Sequence, residues 1–319
     1  MRELIDDIFI RHLANAQLDS KLDATPFEVD PTLRTLITTD SFTVQPLIFP
    51  GGDIGTLAVN GTVNDLAVSG AIAKVLTLSA IIEEGFEVDV LNEIVRSLSL
   101  AANAVGVKVI AGDTKVVPRG QGGGLYLGMT GIGVCSVDTR LSMDLICPRD
   151  LVIVSGPVGD HGIAVLLARG EFDLEGAVRS DCASIGNLAI PVAQRTGIRF
   201  MRDPTRGGIA TVCHEIARAT NLNLILDEGS IPVREPVRAV CAMLGYNPYY
   251  LACEGRVLAI VDECEAAELL SFWRGCSGGE MAAVIGTVEP GNGHVLLKTN
   301  IGGMRYLEEL EDDPLPRIC

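Results

Sequence analysis

The sequence contains little of what nucleic-acid-binding and zinc-binding proteins use. Only 4% of its 319 residues are aromatic and one is tryptophan, which leaves few rings for base stacking. It has 25 lysines and arginines against 41 aspartates and glutamates, and a net charge of −16 repels a phosphate backbone at long range. Its nine cysteines form no CxxC pair, and its four histidines show no metal-ligand spacing. Nucleic-acid binding, a structural zinc site and a disulfide framework are therefore not expected.

Export and membrane signals are also missing from the sequence. The first residues, MRELIDDIFIRHL, carry acidic side chains and lack the basic flank and apolar run of a signal peptide. No apolar stretch approaches the roughly 20 residues that cross a bilayer. Cys213 and Cys241 lie within apolar helical patterns, so we expect them to be buried as small hydrophobic side chains. A reducing, cytoplasmic location fits these features best.

The residues that are present predict two α+β domains of similar size. Hydrophobic residues make up 48% of the chain and charged residues 21%, as in well-packed soluble proteins. The polar stretch DTRLSMDLICPRD separates two series of alternating strands and helices. We predict an N-terminal domain over residues 1–140, a C-terminal domain over 148–306, and a tail over 307–319 in which the periodic pattern stops.

Local patterns place the main elements. LRTLITTD predicts a strand ending at Asp40, TLAVNGTVNDLAVSGA a helix of small residues, and VKVIAGDTK a strand running into Asp113. Apolar residues at 3.6-residue spacing predict a helix over 89–105. CEGRVLAIV predicts a strand that begins near Glu254, and AAVIGTVEPGNGHVLLKT predicts a hairpin turning at Gly291–Gly293.

Four aspartates, Asp40, Asp53, Asp65 and Asp113, lie close to predicted strand ends or glycine turns. Ligands favour the carboxyl ends of strands in open sheets, and magnesium prefers carboxylate oxygens together with phosphate and water. Aspartates at such positions also act as helix caps or turn formers, and for any one of them that interpretation is about equally good. The four together favour a metal–nucleotide site.

Two glycine loops, SGPVGDHG and DPTRGG, each lie between a strand and a helix, where backbone N–H groups favour anions. Neither matches GxxxxGK[ST] or GxGxxG, so each is weak evidence alone. His161 in the first loop has more often a structural role than a catalytic one. Lys115 and Glu254 are types usually found on the surface, and only their positions near strand ends favour a functional role.

The chain ends EDDPLPRIC, with Cys319 as its last residue. Pro314 and Pro316 stiffen this segment, and about twelve residues at ~3.1–3.3 Å each reach roughly 35–40 Å. The α-carboxylate disfavours the thiolate, and Arg317 offsets this in part. The terminal cysteine is either an accident of sequence or a carrier thiol that moves between a partner and this protein's own site.

Several motifs together carry a resemblance to a known family. TTDSFTVQPLIFPGGDIGTLAVNGTVNDLAVSGA, AGDTKVV, SGPVGDHGIAVLLARGE, RDPTRGG, ACEGR and the terminal PRIC resemble the HypE family of hydrogenase expression/formation proteins. This family belongs to the PurM-like ATP-binding superfamily, with selenophosphate synthetase and thiamine-monophosphate kinase. The resemblance implies an α+β (α/β-type) two-domain fold, a homodimer whose N-terminal sheets pair into a barrel-like structure, a C-terminal α/β domain and a flexible tail.

The resemblance also implies the reaction and its partners. The carbamoyltransferase HypF would place a carbamoyl group on Cys319, ATP would drive its dehydration to a thiocyanate, and the cyanide would pass to iron on a HypC–HypD complex. Magnesium ligands are expected at Asp40, Asp65 and Asp113, and catalytic residues at Cys319, Lys115 and Glu254. Further residues are expected on the nucleotide side of the site: Asp53, Asn64, Thr114, Asp203 and Thr205. The family's glycine-rich segment before the first helix is absent from this sequence, which would leave the phosphates less covered.

Two alternatives remain open at this point. A small-molecule kinase or synthetase of the same superfamily would use the same ATP site with a free acceptor, but gives Cys319 no role. A non-catalytic docking subunit would use the tail to bind a partner, and leaves the clustered aspartates unexplained.

Overall fold

A computed structural model describes residues 2–18, 25, 27–170, 177–310, 315 and 317–319. These residues form two large sheets flanked by helices, and a two-stranded sheet of β2 and β3. The strands are β1 Arg34–Phe42, β2 Ile48–Phe49, β3 Gly52–Asp53, β4 Ile72–Glu83, β5 Lys108–Val117, β6 Leu125–Cys135, β7 Leu151–Val154, β8 Ile198–Arg202, β9 Leu222–Asp227, β10 Leu258–Val261, β11 Ala283–Pro290, β12 Val295–Lys298 and β13 Met304–Tyr306. The α-helices are α1 Arg2–Leu4, α2 Arg11–Leu13, α3 Ile54–Val68, α4 Val88–Ala104, α5 Asp160–Ala168, α6 Gly186–Ala189, α7 Gly208–Thr220, α8 Glu235–Leu244 and α9 Ala266–Arg274. A π-helical segment, Ile5–Ile10, joins α1 to α2, and 3₁₀ turns cover Met143–Leu145, Ile190–Val192 and Pro248–Tyr250.

The N-terminal sheet has four strands in the order β1-β6-β4-β5. β6 runs antiparallel to both of its neighbours and β4 runs parallel to β5. Side chains on β4 and β6 alternate between buried and more exposed positions, as expected for a sheet covered on one face. Helix α3 packs across β1 and β6 on the covered face, and α4 packs against α3.

Helix α3 approaches its neighbours closely because it is rich in small residues. All but two of its fifteen residues are buried. A Cβ on Gly55 would overlap the Ile94 carbonyl oxygen of α4, so only glycine permits this contact. The sequence of small residues therefore determines how close the helix carrying Asn64 and Asp65 lies to the rest of the domain.

The C-terminal sheet has seven strands in the order β13-β12-β9-β11-β7-β10-β8 and is buried on both faces at its centre. Val152 and Val154 of β7 join a cluster with α7, whereas Ile153 between them joins a cluster with α6 and α9. A strand covered on both faces needs a continuous apolar run, which explains the LVIV and LAIV sequences of β7 and β10.

Three sequence predictions about these elements are wrong in detail. β1 and β5 do not end at Asp40 and Asp113 but continue to Phe42 and Val117, because their pairing with β6 and β4 continues. The strand of CEGRVLAIV begins only at Leu258, so Glu254 lies in the loop before it.

The predicted hairpin is also wrong, because β9 lies between β11 and β12. β9 pairs antiparallel with β11 and parallel with β12. The Asn223 side chain of β9 accepts hydrogen bonds from the backbone N–H groups of Asn292 and His294, at 3.0 and 2.9 Å. Local turn signals predicted the turn correctly but could not show that a third strand enters between its two arms.

One apolar cluster joins the two domains and the end of the chain. It contains Phe49 and Leu57 of the first domain, Ile163 of the second, and Leu315 and Ile318 of the tail. Leu315 and Ile318 are each 3% exposed. Pro314 and Pro316, which are predicted to stiffen the tail, lie outside the described residues. Among the described helices, none combines the length and the apolar character that a membrane span requires.

Candidate active site

A cavity of about 170 Å³ lies between the domains, and the C-terminal cysteine reaches it. Phe42 and Gly61 supply its apolar lining, and the remaining lining residues are polar. The polar lining comprises Asp40, Ser41, Asp65, Asp203, Thr205, Arg206, Glu254 and Cys319. Five predicted site residues from four separate segments therefore meet the predicted carrier thiol in one place.

Asp40 and Asp65 face each other from the sheet and the helix that covers it. Asp40 lies in β1 opposite Met129, on the face toward α3. The Asp65 carboxylate accepts a 2.6 Å hydrogen bond from the Thr38 hydroxyl, two residues earlier on the same face of β1. Burial, followed by the negative charge of Asp65, raises the pKa of Asp40 to about 6.

Asp203 and Glu254 bring two further carboxyl groups from the second domain. Both are buried, at 6% and 2% exposure. Burial, followed by the charge of Asp65, raises the pKa of Asp203 to about 7. Burial, followed by the charge of Asp203, raises the pKa of Glu254 well above its ordinary value. The Glu254 Oε1 atom has no hydrogen-bond partner among the described residues, so it is available to a bound molecule.

Four carboxyl groups at one cavity make a site that favours a cation. Carboxylates forced together in a buried place are stabilised by protons or by a hard metal ion such as magnesium, and carboxylate oxygen is the donor type that such an ion prefers. Arg206, which is exposed at the rim, acts electrostatically on Asp40 and lowers its pKa. Arg206 is absent from the site residues predicted at DPTRGG, although a cation beside Asp203 and Thr205 in the same loop was an available signal.

Asn64 holds the loop that carries Glu254. Its side-chain amide donates to the carbonyl oxygens of Ala183 at 3.0 Å and Glu254 at 3.4 Å. Its side-chain oxygen accepts from the N–H of Ile185 at 2.9 Å. Asn64 is therefore engaged in joining α3 to the second domain, and its predicted contact with nucleotide stays a prediction.

Asp53 caps helix α3. Its Oδ1 accepts hydrogen bonds from the N–H groups of Gly55 at 2.7 Å and Thr56 at 3.0 Å, and from the Ser97 hydroxyl at 2.7 Å. This is the helix-cap alternative that the sequence left open. These donors already occupy the Asp53 carboxylate, so they explain the residue without a cofactor. A cofactor role for Asp53 stays a prediction.

Asp113, Thr114 and Lys115 lie on the edge strand β5, away from the cavity of their own chain. Three strand spacings, about 14 Å, separate β5 from β1. Asp113 of β5 pairs with Ser79 of β4, and Ser79 pairs with Gly128 of β6. Gly128 pairs in turn with Ser41 of β1, so the side chains of Asp113 and Ser41 lie on the same face of the sheet. The adjacent Asp40 points to the other face.

The three predicted magnesium ligands therefore do not meet within one chain. Within the described ranges, no three His, Cys, Asp or Glu side chains are arranged to hold a metal ion. The expectation that strand ends would bring Asp40 and Asp113 together overlooked the alternation of side chains along each strand.

The tail is docked with its terminal residue at the cavity. A terminal carboxylate oxygen of Cys319 accepts from the N–H and from the hydroxyl of Thr43, each at 3.3 Å. The Arg317 carbonyl accepts from the N–H of Gln45 at 3.1 Å and from Arg169 at 3.0 Å. The tail thus lies antiparallel beside residues 43–45, and Cys319 is half-buried.

Comparisons with known proteins identify the family and the fold. Two family models match the chain: the AIR synthase related protein N-terminal domain over residues 21–135 and the C-terminal domain over 148–298. A carbamoyl dehydratase HypE of Azotobacter vinelandii is 43% identical over 321 aligned residues, covering 100% of this chain and 94% of that protein. The chain belongs to the HypE family.

Solved HypE structures have the same fold. A hydrogenase maturation protein HypE crystallised in complex with ATP matches with a TM-score of 0.94 at 41% identity, covering 100% of this chain and 96% of that one. A HypE–HypF complex contains a chain that matches with a TM-score of 0.84 at 38% identity, covering 96% and 99% respectively. The resemblance inferred from sequence is confirmed, as is the two-domain PurM-like fold.

Proposed function

We propose that this chain is an ATP-dependent carbamoyl dehydratase that acts on its own C-terminal cysteine. The observation that carries the proposal is the position of Cys319, which lines a cavity together with Glu254 and three aspartates. The names of the HypE relatives support the same activity. A docking subunit has no need to bring its terminal thiol to clustered carboxylates, and a small-molecule kinase would need a separate acceptor.

The reaction removes one water from the cysteine's carbamoyl group, S–C(=O)–NH₂, and transfers it to ATP. An amide oxygen leaves poorly, so it first accepts the γ-phosphoryl group of ATP and releases ADP. Loss of one N–H proton gives an imidate phosphate. Loss of the second N–H proton then expels phosphate with the former amide oxygen and leaves S–C≡N. The products are the thiocyanate, ADP and phosphate.

Glu254 is the proposed proton acceptor. A carboxylate with a raised pKa is a stronger base once it is ionised, and its Oε1 has no competing partner among the described residues. Its loop is fixed from both sides, by Asn64 at its carbonyl and by Asp181 at its N–H, at 3.4 and 3.1 Å. Arg206 and Lys115 are proposed to balance charge on the transferred phosphoryl group.

Magnesium is the proposed metal, with Asp40, Asp65 and Asp113 as ligands and Asp203, Thr205 and Thr114 on the nucleotide side. When bound, it would neutralise phosphate charge beside the carboxylates. Within one chain Asp113 and Lys115 lie away from the cavity, so their proposed roles require a second subunit to supply them, as the proposed homodimer would. The uncovered face of the N-terminal sheet, where Ile37 is 71% exposed, is the proposed contact.

HypF is the proposed source of the carbamoyl group, since a relative was crystallised with it. A HypC–HypD complex is the proposed acceptor of the cyanide. Both roles require the tail to leave its groove. The described tail is held by backbone hydrogen bonds and two apolar side chains, contacts that exchange reversibly.

Mass spectrometry of the C-terminal peptide tests the proposal. After incubation with HypF, carbamoyl phosphate and ATP, Cys319 should carry a carbamoyl group and then lose one water. Cys319→Ala should abolish ATP turnover that depends on HypF while nucleotide binding stays within about twofold, because the thiol carries the reacting group rather than the nucleotide. A carbamoyl group that persists in the presence of Mg–ATP would refute the dehydratase.

A further inference from the structure

The end of the tail is recognised through its backbone rather than through its reactive side chain. Three consecutive residues, Arg317, Ile318 and Cys319, each offer a main-chain oxygen to a donor. Thr43 and Gln45 of the first domain supply the outer two contacts, and His161 of the second supplies the middle one. Such contacts are the same whether the sulfur carries a proton or a larger group.

His161 makes the shortest of these contacts. Its Nε2 lies 2.7 Å from the Ile318 carbonyl oxygen and its Nδ1 lies 2.8 Å from the Ser180 hydroxyl. A carbonyl oxygen only accepts, so Nε2 must carry the hydrogen. The Ser180 oxygen accepts from the N–H of Cys182 at 3.0 Å, which leaves its hydroxyl hydrogen for Nδ1. One neutral tautomer satisfies all of these bonds.

The surroundings of His161 keep the ring in place. The side chain is fully buried in the first turn of α5, and the Phe49 ring packs edge-on against it at 5.3 Å. Burial lowers the pKa of His161, although the Ile318 carbonyl and then Asp181 act in the opposite direction, so the ring stays neutral near pH 7. The mechanism proposed above assigns this histidine no proton transfer.

We propose that His161 is a positioning residue for the dehydration: its Nε2–H holds the Ile318 carbonyl so that the sulfur of the next residue enters the carboxylate cavity. The inference rests on the proposed function, since the tail needs accurate placement only if its thiol carries the reacting group. Ser180 serves the same purpose indirectly, because its hydroxyl fixes the tautomer that donates.

Three substitutions separate positioning from bulk. His161→Gln places an amide N–H near the original Nε2, whereas His161→Asn places its amide near Nδ1 and cannot reach Ile318. His161→Leu fills the space without any donor. We expect Asn and Leu to shift the tail toward the undocked state about fivefold, as loss of one buried hydrogen bond implies, and Gln to stay within about twofold of wild type.

Two measurements on the full-length protein report the fraction of molecules with an undocked tail. The first is the alkylation rate of Cys319 by iodoacetamide, followed on the C-terminal peptide, which should rise about fivefold in the Asn and Leu variants. Cys147 is exposed and should react at one rate in all of them, which controls for the reagent. The second is conversion of the carbamoylated protein to thiocyanate, which should fall in Asn and Leu with unchanged ATP affinity and be restored in Gln.

Two outcomes would overturn the inference. One is an Asn variant that docks and converts like wild type. The other is a Gln variant that loses as much as Leu, since this would mean that the ring's packing rather than its donor matters. If Leu is poorly folded, the Asn–Gln pair still decides. A wild-type protein that never forms thiocyanate would refute the proposed function, whereas the alkylation rates would still report whether His161 holds the tail.

Discussion

The two sheets of this molecule differ in what covers their faces. The central strands of the C-terminal sheet are buried on both sides, between α7 on one face and α6 with α9 on the other. Among the described residues, the N-terminal sheet has helices on one face only, and its other face exposes Ile37 and Ile81, at 71% and 38%. The C-terminal sheet is complete in one chain, whereas the N-terminal sheet has an apolar face that a partner would cover.

The proposed catalytic residues divide between the two faces of the N-terminal sheet. Asp40, on the covered face, meets Asp65, Glu254 and Cys319 within one chain. Asp113, with Lys115, lies on the uncovered face. The cavity that holds the thiol is therefore built by one chain, whereas the proposed metal and phosphate contacts require two chains.

The largest effect should come from placing a charge in each sheet. Ile260→Asp puts a carboxylate in a fully buried strand and should cost more than about 4 kcal/mol of unfolding free energy. Ile37→Asp lies on the exposed face, so the single chain should keep its fold while the proposed dimer dissociates. Urea unfolding followed by circular dichroism measures the first, and light scattering the second. An Ile37→Asp chain that unfolds like Ile260→Asp would remove the contrast between the sheets.

The next effect is a loss of Mg–ATP affinity in Asp113→Asn. We expect at least the ~10-fold weakening that loss of a supporting metal contact causes, measured by titration calorimetry. Asp138→Asn, at an exposed loop carboxylate, is the matched control and should bind normally. Ile37→Asp should weaken binding to a similar degree, since its isolated chain has no second subunit to supply Asp113.

Mixing subunits sharpens the same comparison. Asp40→Asn and Asp113→Asn are each expected to be inactive alone. If Asp113 acts across the interface, mixed dimers regain one intact site of two, and an equal mixture should recover about a quarter of wild-type activity under random pairing. The two variants have the same mass, so each carries a different affinity tag and mixed dimers are isolated through both tags. No recovery in those mixed dimers would place both aspartates in the same site of one chain.

The smallest expected effect concerns pH. The pKa of Asp203 is raised to about 7 by burial and then by Asp65, whereas the unfolded chain has its ordinary value near 3.8. The folded state therefore binds more protons between these values, and the contribution of Asp203 to stability falls as pH rises through that window.

Asp203→Asn removes this titration. The Tm of the variant minus the Tm of wild type should therefore increase by about 2–4 °C from pH 5 to pH 8, measured in the presence of a chelator. Asp262→Asn is the control, because backbone hydrogen bonding lowers the pKa of Asp262 and it stays ionised throughout this range. The difference between that variant and wild type should not change. If the Tm difference between Asp203→Asn and wild type does not change from pH 5 to pH 8, the Asp203 carboxyl group of the wild type is already ionised at pH 5.

Much of the fold follows from local pattern, and the errors have a common cause. The helix predicted over 89–105 is observed at Val88–Ala104, and Cys213 and Cys241 are buried as expected. The hairpin was wrong because β9, about sixty residues earlier in the chain, inserts between β11 and β12. Strand order depends on contacts distant in sequence, which periodicity does not report.

Part of the predicted site is found together in the structure, and the roles of its residues stay predictions. Asp40, Asp65, Asp203, Thr205, Glu254 and Cys319 line one cavity as a set that motifs had selected one at a time. His161 was set aside because a histidine at a helix start is usually structural, and its contact with Ile318 links positions 157 residues apart. Arg206 shares the DPTRGG loop with Asp203 and Thr205, but its electrostatic effect on Asp40 acts between the domains, which the motif does not report.

Motifs and hydrophobic periods are properties of neighbouring residues, so the family, the residue types that the chemistry needs and the two-domain alternation are predictable from the sequence. Which of the four aspartates lie close together depends on the fold. Asp53 caps helix α3, and Asp113 lies on the opposite face of the sheet from Asp40. Asp40 faces Asp65 across the contact between the sheet and α3. The physical reason is that a strand alternates its side chains between two faces, so residues equally placed in sequence are separated by the sheet itself.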